Sequence, residues 1–183
     1  MVAAPTLKRY AWSAAAVLAA AAIVVLALHG RRPEPGFVRF EAAGVMVHIT
    51  PESVSEVDVV AGDRRWRFTR TGTGEWSFRG PSGPAADWQD RVENGLRFLH
   101  NSAPQRVINS DELGDASAAE FGLAPPRYTV SVSTASAAGA FVISFGSPNP
   151  QGLAQYASVA GRSNLYLLSR FVGAEWEAAT GIR

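Results

Sequence analysis

Val57-Asp58-Val59-Val60-Ala61-Gly62-Asp63-Arg64-Arg65-Trp66-Arg67-Phe68 is the stretch on which the fold turns. Two runs rich in β-branched and aromatic residues flank Gly62-Asp63, which is the pattern of a β-hairpin. In the second run Arg65 and Arg67 share one strand face with Thr69, while Trp66 and Phe68 share the other. Two readings follow. The arginines form a cationic strip that contacts lipid head groups or an acidic partner, or they are the solvated face of an antiparallel strand whose aromatics lie in the core.

Outward from the hairpin, Val45-Met46-Val47-His48-Ile49 and Val54 to Val60 precede it as strand-like runs, and Glu75-Trp76-Ser77-Phe78 alternates again after it. Beyond Gly80, Pro81, Gly83 and Pro84 the period changes. Trp88, Val92, Leu96 and Leu99 fall on one face of an amphipathic helix, with Asp87 as its N-cap. A second stretch repeats the plan: Tyr128 to Ser133, Phe141 to Phe145, Tyr156 to Val159 and Asn164 to Leu168 read as strands, and Ser169 caps a helix carrying Val172, Trp176 and Ala179. Between the halves, Asp111 to Phe121 reads as one or two helical turns ending at Gly122. The expected class is α+β: an N-terminal transmembrane helix, then a domain of two antiparallel strand-meander-plus-helix units, a pseudo-repeat over 45–101 and 128–180.

The chain has 183 residues, 47% hydrophobic and 18% charged, with no cysteine and a formal charge of +1. That composition excludes a disordered tail, a disulfide mini-protein and a collagen. Without cysteine there is no thiol catalysis and no thiolate zinc site. The charge is uneven. Residues 1–32 carry Lys8, Arg9, Arg31 and Arg32 and no acid, whereas the rest has 13 arginines against 16 acids, a net −3. A mildly acidic domain argues against a nucleic-acid partner.

Tyr10 to Leu28 is 19 residues without a charge, about 28 Å as a helix, bracketed by basic pairs and by Tyr10 and Trp12. A cleaved signal peptide is the rival, but the run is longer than a signal core and ends without a small-x-small site. The expected organisation is a cytoplasmic tail over 1–9, a membrane anchor over 10–29, a Pro-rich linker over 30–36 and a periplasmic domain over 37–183. This places the protein in a bacterial inner membrane with a single pass.

Chemistry-bearing constellations are sparse. His29, His48 and His100 stand apart, G-x-S-x-G and the Walker lysine are missing, and Gly72-Thr73-Gly74 lacks the rest of a dinucleotide loop. Asp111, Glu112 and Asp115 could offer oxygens to a hard cation, but helix capping explains them as well. Gly146-Ser147-Pro148-Asn149-Pro150-Gln151-Gly152 is a turn-forming loop that could carry a binding site or simply connect strands.

Phe121-Gly122-Leu123-Ala124-Pro125-Pro126-Arg127-Tyr128-Thr129-Val130 resembles a bacterial domain family of unknown function, in which an aromatic-Gly-Leu-x-x-Pro string leads into a strand. Trp66 with Gly74-Glu75-Trp76, then Phe145-Gly146, Tyr156-Ala157 and Leu165-Tyr166-Leu167-Leu168, match its further landmarks across about Val54 to Ala179. Members accompany gliding-motility-type ABC transporters and other envelope proteins. The resemblance implies an extracytoplasmic accessory domain and carries no activity.

The expectation from all this is a non-enzymatic accessory or assembly subunit of an envelope membrane complex, with no cofactor and no metal. The alternatives are a periplasmic binding module for a small molecule or glycan and, third, a hydrolase. Arg65 and Arg67 on the strand and Ser147, Asn149 and Gln151 on the loop are the candidate partner-contact residues.

Overall fold

The computed structural model describes residues 16–26, 43–72, 74–81, 86–136 and 139–182. The chain divides into two units between Phe40 and Glu41. In the first, α1 covers 16–26 with its side chains exposed. Among the described residues no helix is long and apolar enough to cross a membrane. This corrects the expected anchor over 10–29, and the inner-membrane and periplasmic placement that rested on it falls too. The remaining positions of that anchor, the tail over 1–9 and the linker over 30–36 lie outside the described residues.

The second unit runs β1 (Val54–Ala61), β2 (Arg64–Arg70), β3 (Trp76–Arg79), α2 (Trp88–Asn101), β4 (Arg106–Ile108), α3 (Ser110–Leu113), β5 (Tyr128–Thr134), β6 (Phe141–Pro148), β7 (Ala154–Val159), β8 (Leu165–Ser169) and α4 (Arg170–Thr180). All eight strands form one antiparallel sheet in the order β3-β2-β1-β5-β6-β7-β8-β4. The expected pair of meander-plus-helix units is thereby corrected. The halves are joined by the pairing of β1 with β5, Val57 opposite Val132 and Val59 opposite Val130, and each of these four valines is fully buried. Two separate sheets would each have left an apolar edge strand in water, and merging them removes both edges.

Alternation along each strand fixes which face is covered. Val57, Val59, Trp66, Phe68, Val130, Val132, Ile143 and Phe145 share one core with Val92, Leu96 and Leu99 of α2 and Val172 and Trp176 of α4. Gly95 lets the two helices approach, because a Cβ there would lie 2.6 Å from the Trp176 ring. Against α4 the core turns polar and is largely paired, although the buried Trp176 indole N–H has no hydrogen-bond partner among the described residues. The Tyr128 hydroxyl donates to Gly173 O at 3.0 Å, fully buried Gln155 donates through Nε2 to Gly146 O at 2.9 Å, and Arg170 bridges Gln155 and Glu177.

Two local readings also change. Val45 to Ile49, expected as a strand, is a turn seated on the end of α2, where Gly44 N and Met46 N donate to His100 O and Leu99 O. Carbonyls of a helix's last turn need such donors, and Gly44 fits because a Cβ would meet Leu99 O at 2.0 Å. Asp87 and Ser169 stand at N-cap positions without a side-chain cap bond. Asp87 instead takes the Arg91 guanidinium, and Ser169 Oγ takes Gln105 Nε2.

From β4 at one edge the chain returns to β5 in the middle as a strap over the second face of the sheet. α3 and a 3-10 turn at Ala118–Phe121 form it, Phe121 meets Tyr156 edge-on at 5.0 Å, and Gly122, left-handed at φ 66°, closes against Ser147.

Candidate functional site

The hairpin that decides the fold also builds the most strongly charged surface. Gly62 takes the positive φ of 56° at the β1–β2 turn. The strand beyond it points Trp66 and Phe68 into the core, both 0% exposed, which leaves Arg65, Arg67 and Thr69 on the uncovered face. β3 then sets Arg79 directly opposite Arg67.

Arg67 is held in place. It lies opposite Asp58 and donates through Nε and Nη2 to both carboxylate oxygens, each at 2.9 Å, with Glu56 3.7 Å away. The Asp58 hydrogen bonds, then the Asp58 and Glu56 charges, raise the Arg67 guanidinium above its ordinary pKa. The side chains of Arg65 and Arg79, by contrast, have no hydrogen bond or ion pair to any described residue. Arg64 lies over the Trp66 ring at 5.1 Å. Together with Asp63, Gly80 and Pro81 these arginines line an open cleft of about 560 Å³.

Arg70, at the far end of β2, has a structural task. Its guanidinium reaches Val54 O, Pro51 O and Glu93 while covering Trp76 at 4.4 Å, and Glu93 also accepts the Trp76 indole N–H. One strand therefore carries both a framework arginine, Arg70, and one whose side chain has no partner among the described residues, Arg65.

The loop residues lie elsewhere. Ser147 is at the end of β6, three strand spacings or roughly 14 Å across the sheet from β2, packed against Gly122. Asn149 Oδ1 accepts Leu153 N and Ala154 N at 3.0 Å each, and its amide donates to Gln151 Oε1 at 2.8 Å. The structure thus brings Arg65 and Arg67 together, keeps Ser147, Asn149 and Gln151 apart from them, and turns the polar atoms of Asn149 inward on the loop.

His100 and Glu112 are occupied by the fold, and His29 lies outside the described residues. His100 Nδ1 lies 3.3 Å from Met46 O. Glu112 accepts Asn109 N and the Arg106 guanidinium, and Arg106 is the main reason its carboxyl is held below the usual range. No group of three or more His, Asp or Glu that could hold a metal occurs among the described residues. Sequence reasoning missed Arg79, since a lone arginine after Trp76-Ser77-Phe78 gains meaning only from the β2–β3 register. It also missed a hollow of about 200 Å³ beneath the strap, lined by Leu113, Phe121, Leu123, Ser158, Arg162 and Leu165 among others. Protein-family models, characterised proteins and solved structures were all compared with the chain, and none matches it.

Proposed function

We propose that the chain is a non-enzymatic accessory or assembly subunit that docks an acidic protein partner through the cleft between β2 and β3. The observation that carries this reading is the pair of guanidiniums, Arg65 and Arg79, left without a counter-charge beside a third that Asp58 has already locked. Fixed positive charge on a rigid sheet face steers an acidic partner and sets its register, at a cost in affinity as salt rises. Arg67 is the wrong probe, because reversing it places a third carboxylate beside Asp58 and Glu56. The informative variant is Arg65→Glu with Arg79→Glu. Purified at low salt, the wild-type chain should retain a stoichiometric partner that both the variant and high salt release, with unchanged circular dichroism. A natively folded variant that keeps the same partner at both salt levels refutes the docking role. The alternative, a small-molecule binding module, draws support from the hollow under the strap and not from the Ser147–Gly152 loop. Soaking with fragment-sized solutes and following the Phe121 and Tyr156 ring resonances would test it.

A further inference from the structure

We propose that the β2–β3 cleft is an oxyanion receptor that seats a phosphate group between Arg65 and Arg79, with Arg67 as a fixed third donor; this rests on the docking reading of the same cleft. Charge is the first argument. The lining holds Arg64, Arg65, Arg67 and Arg79 against Asp63, and Asp58 and Glu56 both face Arg67, so a net positive charge remains. Glu56, 3.7 Å from Arg67, lines an adjoining hollow that shares Arg67 and Arg79 with the cleft. A phosphate monoester carries about −1.5 to −2 near neutral pH and is attracted to that positive lining.

Geometry is the second. Arg67 and Arg79 are directly opposed, which puts their Cα atoms about 5 Å apart, and Arg65 stands two residues, about 7 Å, along the same face. Like charges so placed repel, and a bound anion turns that repulsion into attraction. Asp58 occupies Nε and one Nη2 proton of Arg67, leaving three N–H donors on a guanidinium that can no longer swing. Planar forks of this kind suit the three acceptor oxygens of a phosphate. Gly80 at the cleft's rim is required by the core, since a Cβ there would meet the Phe78 and Trp66 rings at 2.6 and 2.7 Å.

The test is calorimetric titration of the full chain with inorganic phosphate, against sodium chloride at matched ionic strength. Single-site binding is expected. Arg65→Gln and Arg79→Gln should each weaken it at least about tenfold, which is about 1.4 kcal/mol and the low end for a lost charge-assisted hydrogen bond. Arg79→Lys, which keeps the charge and loses the fork, should fall between, and Arg162→Gln, outside the cleft, should bind as wild type. Equal heats for phosphate and chloride, or wild-type affinity in natively folded Arg65→Gln and Arg79→Gln, overturn the receptor. A polyglutamate peptide separates the two ideas. If it binds through Arg65 and Arg79 while phosphate does not, the receptor is refuted and docking survives. If phosphate binds yet Arg65→Glu with Arg79→Glu keeps its protein partner, docking is refuted and the receptor survives.

Discussion

Replacing Gly95 by alanine separates the single-sheet architecture from two independent units by the sign of its effect. On an isolated α2, Gly→Ala stabilises a helix interior by about 1 kcal/mol. In the structure the new Cβ would fall 2.6, 2.7 and 3.0 Å from Cζ2, Cε2 and Cη2 of Trp176, which is 0% exposed and has no empty space to enter. Ordinary carbon contacts lie at about 3.5–4.0 Å, so α2 and α4 must part by about 1 Å. Overpacking of this kind costs about 1–3 kcal/mol, and shifting a whole helix belongs at the upper end. Against the propensity gain, the net is a destabilisation of about 2 kcal/mol, or about 4–8 °C in Tm for a domain of this size. Urea unfolding of the full chain, followed by circular dichroism at 222 nm, measures it. In a Trp176→Phe background the smaller ring should relieve the clash and reduce the cost of Gly95→Ala by about 1 kcal/mol or more. A rise in stability for Gly95→Ala, or equal effects in both backgrounds, would refute the helix–helix contact.

Gly173→Ala should lower stability by about 2–3 kcal/mol in the same assay, because its Cβ would come 2.2 Å from Gln155 Oε1 and 2.7 Å from the Tyr128 hydroxyl, both buried. Burial, then the Glu177 charge, raises the pKa of Tyr128. The folded state therefore keeps a proton that the unfolded chain loses above about pH 10, so stability is full below that pH and falls above it by about 1.4 kcal/mol per pH unit; Tyr128→Phe should abolish this alkaline slope in unfolding free energies taken from pH 8 to 11. Trp176→Ala should cost about 3–5 kcal/mol by burial loss and cavity. Asn149→Ala should cost about 1 kcal/mol by stranding the amides of Leu153 and Ala154, and a loop that keeps its amide-exchange protection would count against that cap.

The hairpin was legible because Trp66 and Phe68 alternate with Arg65 and Arg67, and α2 because Trp88, Val92, Leu96 and Leu99 keep a helical period. Both signals are local. The β1–β5 seam was not legible, since residues about 75 apart find each other through core burial and leave no mark on either segment. Val45 to Ile49 misled because an apolar, β-branched run looks the same whether it lies in a strand or plugs a helix end. β4, only Arg106 to Ile108, is too short to show a period. In the candidate site Arg65 and Arg67 were visible as unusual strand residues, but Arg79 and the Asp58 clamp depend on register, which the sequence does not display.

The contact between Gly95 and Trp176 has a consequence for the order in which the chain becomes a protein. During synthesis β1, β2, β3 and α2 leave the ribosome long before β5 can pair with β1 or α4 can cover α2. Until then the valine edge of β1 and the apolar face of α2 are both bare, and bare strand edges pair with whatever arrives first. Pairing of segments as distant as β1 and β5 also slows folding. Native structure should thus appear late and in one step, once the segment up to Ile182, itself buried, has emerged. Ribosome-bound chains stopped before Arg170 should stay sensitive to protease throughout the sheet.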